Sequence, residues 1–147
     1  MKLRISVIGL WAAIAVFGCA TGPDTTQYVR SGTQYGVTQG PFRGRWWNYY
    51  ERGRSFADGA FWEEAERDLR TALVSRAVDQ LWARTYGLHF LPEYFPHREL
   101  GVVLYHQGRY EEAIAELELS LQQRESARAA YFLNEVRKEW VESNRLD

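Results

Sequence analysis

The chain has one cysteine in 147 residues, Cys19, and no long apolar segment. With no second cysteine, an intramolecular disulfide is excluded, so packing must supply the stability of any folded domain. The apolar stretch near the start, residues 5–17, contains thirteen residues, whereas a helix that spans a membrane needs about 20. The sequence therefore predicts no disulfide framework, and it predicts no membrane-spanning helix in this stretch.

Clustered charge and catalytic motifs are also scarce. The 18 basic and 19 acidic residues nearly balance, and they form no basic cluster of the kind that nucleic acids require. The histidines lack the spacing of metal ligands on one helix, and no Gly-rich phosphate loop opens a helix after a strand. Two Glu-Glu pairs, at 63–64 and 111–112, are explained by the favourable position of carboxylates at a helix start. We therefore predict no enzyme activity, no cofactor, no metal and no nucleic-acid partner.

The first 19 residues combine a basic start, an apolar run and a small residue before the cysteine. Lys2 and Arg4 precede the apolar run, whose length suits a secretory signal, and Gly18 precedes Cys19. The sequence Val-Phe-Gly-Cys at 16–19 resembles the lipobox of bacterial lipoproteins. The alternatives are a plain signal peptide, or a buried N-terminal helix with an inert cysteine.

The lipobox resemblance implies that residues 1–18 are cleaved and that Cys19 is lipidated on its thiol and its new amino terminus. Because each buried CH₂ contributes about 0.8 kcal/mol, several acyl chains anchor a protein stably. Ala20 follows the cysteine, in place of the Asp that commonly retains such lipoproteins in the inner membrane. The resemblance thus implies a lipid anchor in the outer membrane, facing the periplasm, with the inner membrane less favoured.

Residues 20–44 are rich in Gly, Thr, Gln and Ser and show neither a helical nor a strand period. This composition favours a flexible tether; the alternative is an extended arm in which Tyr28, Tyr35 and Phe42 pack along the domain. The predicted organisation lists a signal peptide (1–18), a lipidated cysteine with a tether (19–44), a helical domain (45–142) and a short tail (143–147).

Two segments of the helical domain repeat one pattern. In each, a glycine is followed twelve residues later by an alanine: Gly53 and Ala65, then Gly101 and Ala113. An aromatic residue and a Glu-Glu pair precede each alanine, and leucines follow it at +4 and +8. Small residues at this spacing allow two antiparallel helices to cross closely. The pattern resembles the tetratricopeptide repeat, a 34-residue helix pair that stacks into a superhelix.

The resemblance implies an all-α fold with two antiparallel helix pairs and a capping helix over residues 126–142. The repeated glycines are 48 positions apart, so about 14 residues are added to the repeat length, within 74–95. This insertion is too apolar for a solvated linker. We expect it to be ordered, to cover core residues or to close one side of a groove, with the helix before it running on toward Arg84. Arg52 departs from the pattern, because an apolar residue is expected there.

The repeat register directs several side chains to the concave surface with which such proteins bind peptides. The predicted partner-binding residues are Trp47, Tyr50, Arg54, Arg98, Val102, Tyr105 and His106. Aromatic residues and Arg are typical of interface hot spots, although the rings would equally suit burial against the insertion.

The predicted function is a lipid-anchored adaptor of the bacterial envelope that binds a protein or peptide partner. An accessory module of an envelope peptidase or hydrolase is the alternative, and a self-associating structural role is a third hypothesis. Since about three repeats are usually needed for stability, we expect a partner or homo-oligomerisation to complement the two repeats and the cap.

Overall fold

The computed structural model describes residues 26–145, so Cys19 and the predicted signal peptide lie outside the described residues. The elements, in chain order, are β1 (Tyr28–Arg30), β2 (Thr33–Tyr35), α1 (Trp46–Asp58), α2 (Trp62–Ser75), β3 (Gln80–Arg84), β4 (Phe90–Tyr94), α3 (Pro96–His106), α4 (Tyr110–Gln123) and α5 (Ala127–Ser143). The described chain is mostly helical, as predicted. It is not all-α, because β1–β2 and β3–β4 each form a two-stranded antiparallel sheet.

The two repeated glycines lie where consecutive helices cross. A methyl group added at Gly53 would meet Leu69 Cγ at 3.0 Å and the Ala65 carbonyl oxygen at 3.3 Å. Added at Gly101, it would meet Leu117 Cγ at 2.6 Å and the carbonyl oxygen of Ala113 at 3.2 Å. The helices α1–α2 and α3–α4 therefore form equivalent hairpins, and the small residues predicted at their crossings are where the backbones approach most closely.

The helix ends follow local sequence signals. Pro96 begins α3, where its missing N–H costs no intrahelical bond. The Glu-Glu pairs occupy the first turns of α2 and α4, and Ser126 caps α5 by accepting a hydrogen bond from the Ala129 N–H at 3.4 Å. The Glu-Glu pairs were predicted at helix starts, and α5 extends one residue beyond the predicted 142.

The helices stack in chain order, with α2 against α3 and α5 against α4. One continuous core runs through the stack and includes Phe56, Leu69, Leu100, Leu117 and Val136, all fully buried. Spacings of 4, 3 and 4 place Ala129, Leu133, Val136 and Trp140 on one face of α5; the first three are buried, whereas Trp140 is exposed. The last helix thus closes the stack on α4.

The insertion is an ordered β-hairpin rather than a continuation of α2. The helix ends at Ser75, where Arg76 turns to extended backbone with φ −153°. The strands pair from Gln80 opposite Tyr94 to Arg84 opposite Phe90. The expectation of order was correct, whereas the expectation that the helix runs on toward Arg84 was wrong.

A buried carboxylate lies in the segment that connects α2 to β3. Asp79 accepts hydrogen bonds from the backbone N–H groups of His97 at 2.9 Å and Arg98 at 3.2 Å. These are donors of the first turn of α3, which have no intrahelical partner. Burial raises the pKa of the Asp79 carboxyl above its ordinary value. Residues 76–79, which connect α2 to β3, thus place this carboxylate at the start of α3.

Residues 26–44 pack against the helices and do not form the favoured flexible tether. The ring of Tyr28 stacks on Phe61 at 4.7 Å, and its hydroxyl donates to Glu64 at 3.0 Å. Tyr35 also contacts Phe61, at 5.8 Å. Phe42 lies edge-on to a ring of α1, Tyr49, at 5.1 Å. These residues form the extended arm that was the alternative to a flexible tether. The segment contains few apolar residues, but its aromatic rings supply enough contacts to pack it against the helices.

Arg52, the residue that breaks the repeat pattern, has a buried partner. It is 3 % exposed, and its guanidinium donates to both carboxylate oxygens of Asp68, at 2.5 and 2.9 Å. Phe42 covers the guanidinium at 4.2 Å from the ring centroid. Arg52 is therefore buried at a position where a repeat helix would carry an apolar side chain, and Asp68 and Phe42 of the arm supply its contacts.

Candidate partner-binding groove

A groove of about 590 Å³ opens between α1, α3 and α5. The helices α1 and α3 contribute the side chains on one wall, and the start of α5 forms the other. The β3–β4 hairpin adds Leu81 and Glu93. We call this the α1/α3/α5 groove. The insertion covers core residues, since Tyr94 and Ala83 are buried, and its Leu81 and Glu93 border the groove.

A chain of ion pairs crosses the floor of the groove. Arg98 Nε donates to Glu99 at 2.8 Å, and Arg98 Nη2 lies 3.3 Å from Glu93. Glu99 also pairs with Arg128 of α5 at 3.5 Å. Arg98 is 6 % exposed, and its guanidinium lies 4.2 Å from the ring centroid of Phe95. Held in this way, the groove presents fixed charges of both signs rather than one clustered charge.

Aromatic rings line the end of the groove near the close of α3. His106 stacks on Trp62 at 4.4 Å with an 11° angle between the rings, and it lies 6.2 Å from Phe132. Burial, with the charge of Arg128 nearby, lowers the pKa of His106. The lowered pKa favours the neutral imidazole, whose planar ring stacks on Trp62.

The structure divides the predicted partner-binding residues. Arg54, Arg98, Val102 and His106 line the groove, although Val102 is only 4 % exposed. Tyr105 lies next to the groove, with its ring 5.9 Å from that of Phe132.

Tyr50 is a core residue, and its assignment to the concave surface was wrong. It is 1 % exposed, its hydroxyl accepts a hydrogen bond from the Phe95 N–H at 3.1 Å, and its ring contacts Tyr94 at 4.7 Å. Burial raises the pKa of its hydroxyl to about 12. The insertion covers this ring, which the repeat register alone leaves open.

Trp47 lies in a different place from the other predicted residues. Its ring is 5.9 Å from that of Tyr86, and both line a second cleft of about 970 Å³ between residues 39–47 and the β3–β4 hairpin. Trp47 therefore belongs to the hairpin side of α1 and does not join the α1/α3/α5 groove.

Several groove residues come from elements that the repeat pattern does not describe. Leu81 and Glu93 belong to the insertion, and Arg128 and Phe132 belong to the capping helix. The sequence contained one usable signal for the last two, because residues four apart share a face of a helix. Nothing in the sequence pairs the hairpin residues with α3.

No family model matches the chain, and no curated protein matches it in sequence. Within residues 26–145, no three His, Cys, Asp or Glu side chains lie close enough together to hold a metal ion. Over the same residues, none of the helices has both the length and the apolar content to cross a bilayer.

Proposed function

We propose that this chain is a lipid-anchored adaptor of the bacterial cell envelope that binds a protein partner in the α1/α3/α5 groove. The groove carries the proposal, because its charged and aromatic side chains come from four helices and a hairpin and are held in place by contacts with one another. Such a pre-organised surface lowers the cost of ordering that binding incurs.

The proposal includes a tetratricopeptide-like arrangement of the helices. It is supported by the equivalent crossings at Gly53 and Gly101, each with a leucine sixteen residues later against the glycine. In such stacks the first helices of successive pairs line the concave surface, and here α1 and α3 both line the groove. The ligand that fits is a peptide segment with charges of both signs and at least one ring or apolar side chain.

The proposed anchor is the lipid on Cys19, in the outer membrane and facing the periplasm. It is supported by the sequence of residues 1–20 alone. Metabolic labelling with an alkyne palmitate tests it: we expect label in the wild-type chain and none in Cys19→Ser, with loss of that variant from the outer-membrane fraction. Label that persists in Cys19→Ser, or is absent from the wild type, refutes the anchor.

Binding in the groove is tested with charge reversal at Arg54, which is exposed and lies where a partner would contact it. The matched control is Arg124→Glu, the same charge change at an exposed residue outside the groove. Hot-spot substitutions typically cost about 2 kcal/mol or more of binding free energy, roughly a thirtyfold loss of affinity. We expect Arg54→Glu to lose a partner captured from solubilised envelopes by wild type, at unchanged melting temperature, while Arg124→Glu retains it. Equal capture by both variants refutes the groove.

A further inference from the structure

The β3–β4 hairpin exposes large apolar side chains that the groove does not use. The exposed fractions are 67 % for Trp82, 58 % for Tyr86, 87 % for Leu88 and 45 % for Phe90. We call these four residues the hairpin patch. Single exposed apolar residues are ordinary on a protein surface, whereas four large ones within the nine residues 82–90 of one hairpin point to an interaction site.

Hydrogen bonds hold the tip of this hairpin in one conformation. The Thr85 N–H donates to the His89 carbonyl at 2.9 Å, and the His89 N–H donates to the Tyr86 carbonyl at 2.8 Å. Arg84 Nε donates to the Gly87 carbonyl at 2.7 Å. Leu88 is therefore presented to the surroundings by a closed turn, and its exposure does not come from a slack loop.

Trp82 has a backbone conformation that a bulky residue rarely adopts. Its φ is +54°, in the left-handed region where such side chains are genuine outliers. Strain of this kind persists only where the surrounding structure imposes it, and it clusters at functional segments. Because the side chain remains 67 % exposed, its burial in the domain does not compensate for the energetic cost of this backbone conformation.

The surface beside the patch is basic. The second cleft is lined by Tyr86 and Phe90 of the patch and by Arg43 and Arg45, both of which are exposed. The only acidic side chain among its described lining residues is Glu51, and burial raises the pKa of that carboxyl. Apolar rings with neighbouring Arg complement the interface of a bilayer, where Tyr and Trp are enriched and anionic headgroups attract basic side chains.

The proposed anchor brings this surface to a membrane. Cys19 precedes the first described residue, Thr26, by seven positions, which span at most about 25 Å when fully extended. A domain of this size is about 35 Å across, so the tether is shorter than the domain is wide. The carbonyl oxygen of Thr26 lies against Gly36, and the chain continues from there to Gln39, which lines the second cleft. Thr26 thus contacts the segment that continues into the second cleft, and the seven positions before it limit how far the lipid on Cys19 lies from that segment.

We propose that the hairpin patch is a membrane-contact surface, which enters the headgroup region of the bilayer that holds the lipid of Cys19. The inference rests on the lipid anchor of the proposed function. It assigns opposite roles to the two sides of α1: the hairpin side faces lipid, and the α1/α3/α5 groove remains open to a partner.

The test uses the full lipidated chain with a single fluorescent label. When the thiol of Cys19 carries a lipid, Leu88→Cys supplies the only free thiol in the chain, and an environment-sensitive fluorophore (NBD) is attached there. The matched label is at Tyr131→Cys, a 59 % exposed position on α5, at the other end of the stack. Both proteins are reconstituted in vesicles of phosphatidylethanolamine and phosphatidylglycerol, and lipid on Cys19 is measured by palmitate labelling of the same chains.

We expect blue-shifted emission at position 88 and quenching by doxyl groups on the lipid chains, with little quenching by iodide from the water. Position 131 should show the reverse. If Cys19 carries lipid and position 88 is open to iodide, the membrane contact is refuted and the anchor stands. If position 88 is shielded from both quenchers, a second copy or a protein partner covers the patch, which also refutes the proposal.

Loss of the anchor itself gives a separate result. If Cys19 carries no lipid, its thiol is free, so Leu88→Cys is made and labelled in a Cys19→Ser chain, which is added to the same vesicles from solution. Doxyl quenching at position 88 then supports membrane contact without the anchor, whereas its absence overturns the anchor and the contact together.

Discussion

The two helix crossings differ in the room that they leave for an added methyl group. In Gly101→Ala the added carbon would lie 2.6 Å from Leu117 Cγ, 3.0 Å from its Cδ2 and 3.2 Å from the Ala113 carbonyl oxygen. In Gly53→Ala the closest approach is 3.0 Å, to Leu69 Cγ, and the next is 3.3 Å. Carbon atoms do not approach to 2.6 Å without a shift of the neighbour, and Leu117 is fully buried.

Two opposing effects set the magnitude. Replacing Gly by Ala inside a helix stabilises it by about 0.8–1.0 kcal/mol, while overpacking a well-packed core costs about 1–3 kcal/mol. We expect Gly101→Ala to lower the free energy of unfolding by about 1–2 kcal/mol, because the clash exceeds the gain in helix propensity. Gly53→Ala should be within about 1 kcal/mol of wild type, since its neighbours need to move by only a few tenths of an ångström.

Urea unfolding followed by circular dichroism measures the free energy of unfolding of both variants, which can be compared directly when their m-values are equal. Glu111→Ala is a suitable control for handling, since Glu111 is exposed. If Gly101→Ala is as stable as wild type, or Gly53→Ala is the more destabilised of the two, the relative closeness of the two crossings is wrong.

Three further predictions concern buried charge and strain. Asp68→Ala should destabilise by about 3–5 kcal/mol in urea unfolding, because it removes the carboxylate to which the buried guanidinium of Arg52 donates; a loss under 1 kcal/mol would contradict the buried pair. The Glu116 carboxylate, 2.6 Å from His97 Nδ1, raises the pKa of His97 against the opposing effect of burial. The stabilisation by this histidine should therefore be complete below pH 6.5 and lost as the pH rises through the raised folded-state pKa. The difference in unfolding free energy between wild type and His97→Gln should then shrink from pH 6 to pH 9. A difference that grows over this range would contradict the raised pKa. Trp82→Gly should be more stable than Trp82→Ala by about 1 kcal/mol, because only the alanine keeps the left-handed strain; equal urea midpoints would show that φ at this position is not fixed.

Local sequence rules located the helices well. The small residues at the crossings and the Glu-Glu pairs at the helix starts each act over one or two turns or across one helix pair. Such short-range features can be inferred from spacing because the helix period fixes which side chains meet. The same spacing contained the ion pair of Arg52, since Asp68 follows it by sixteen residues, as Leu69 follows Gly53.

Long-range contacts account for the expectations that failed. Nothing near Asp79 indicates that it caps a helix that begins seventeen residues later at Pro96. Tyr50 was assigned to a surface because the repeat register has no place for the hairpin that covers it. The arm of residues 26–44 packs through a few separated rings, which carry no period.

Site-specific photo-crosslinking in intact cells tests partner binding in the α1/α3/α5 groove most directly. Benzoylphenylalanine replaces Arg54 in the groove and, as the matched control, Arg124 outside it. Binding in the groove predicts a discrete adduct of higher mass from position 54 and none from position 124. No adduct at position 54, or the same adduct from both positions, would contradict it.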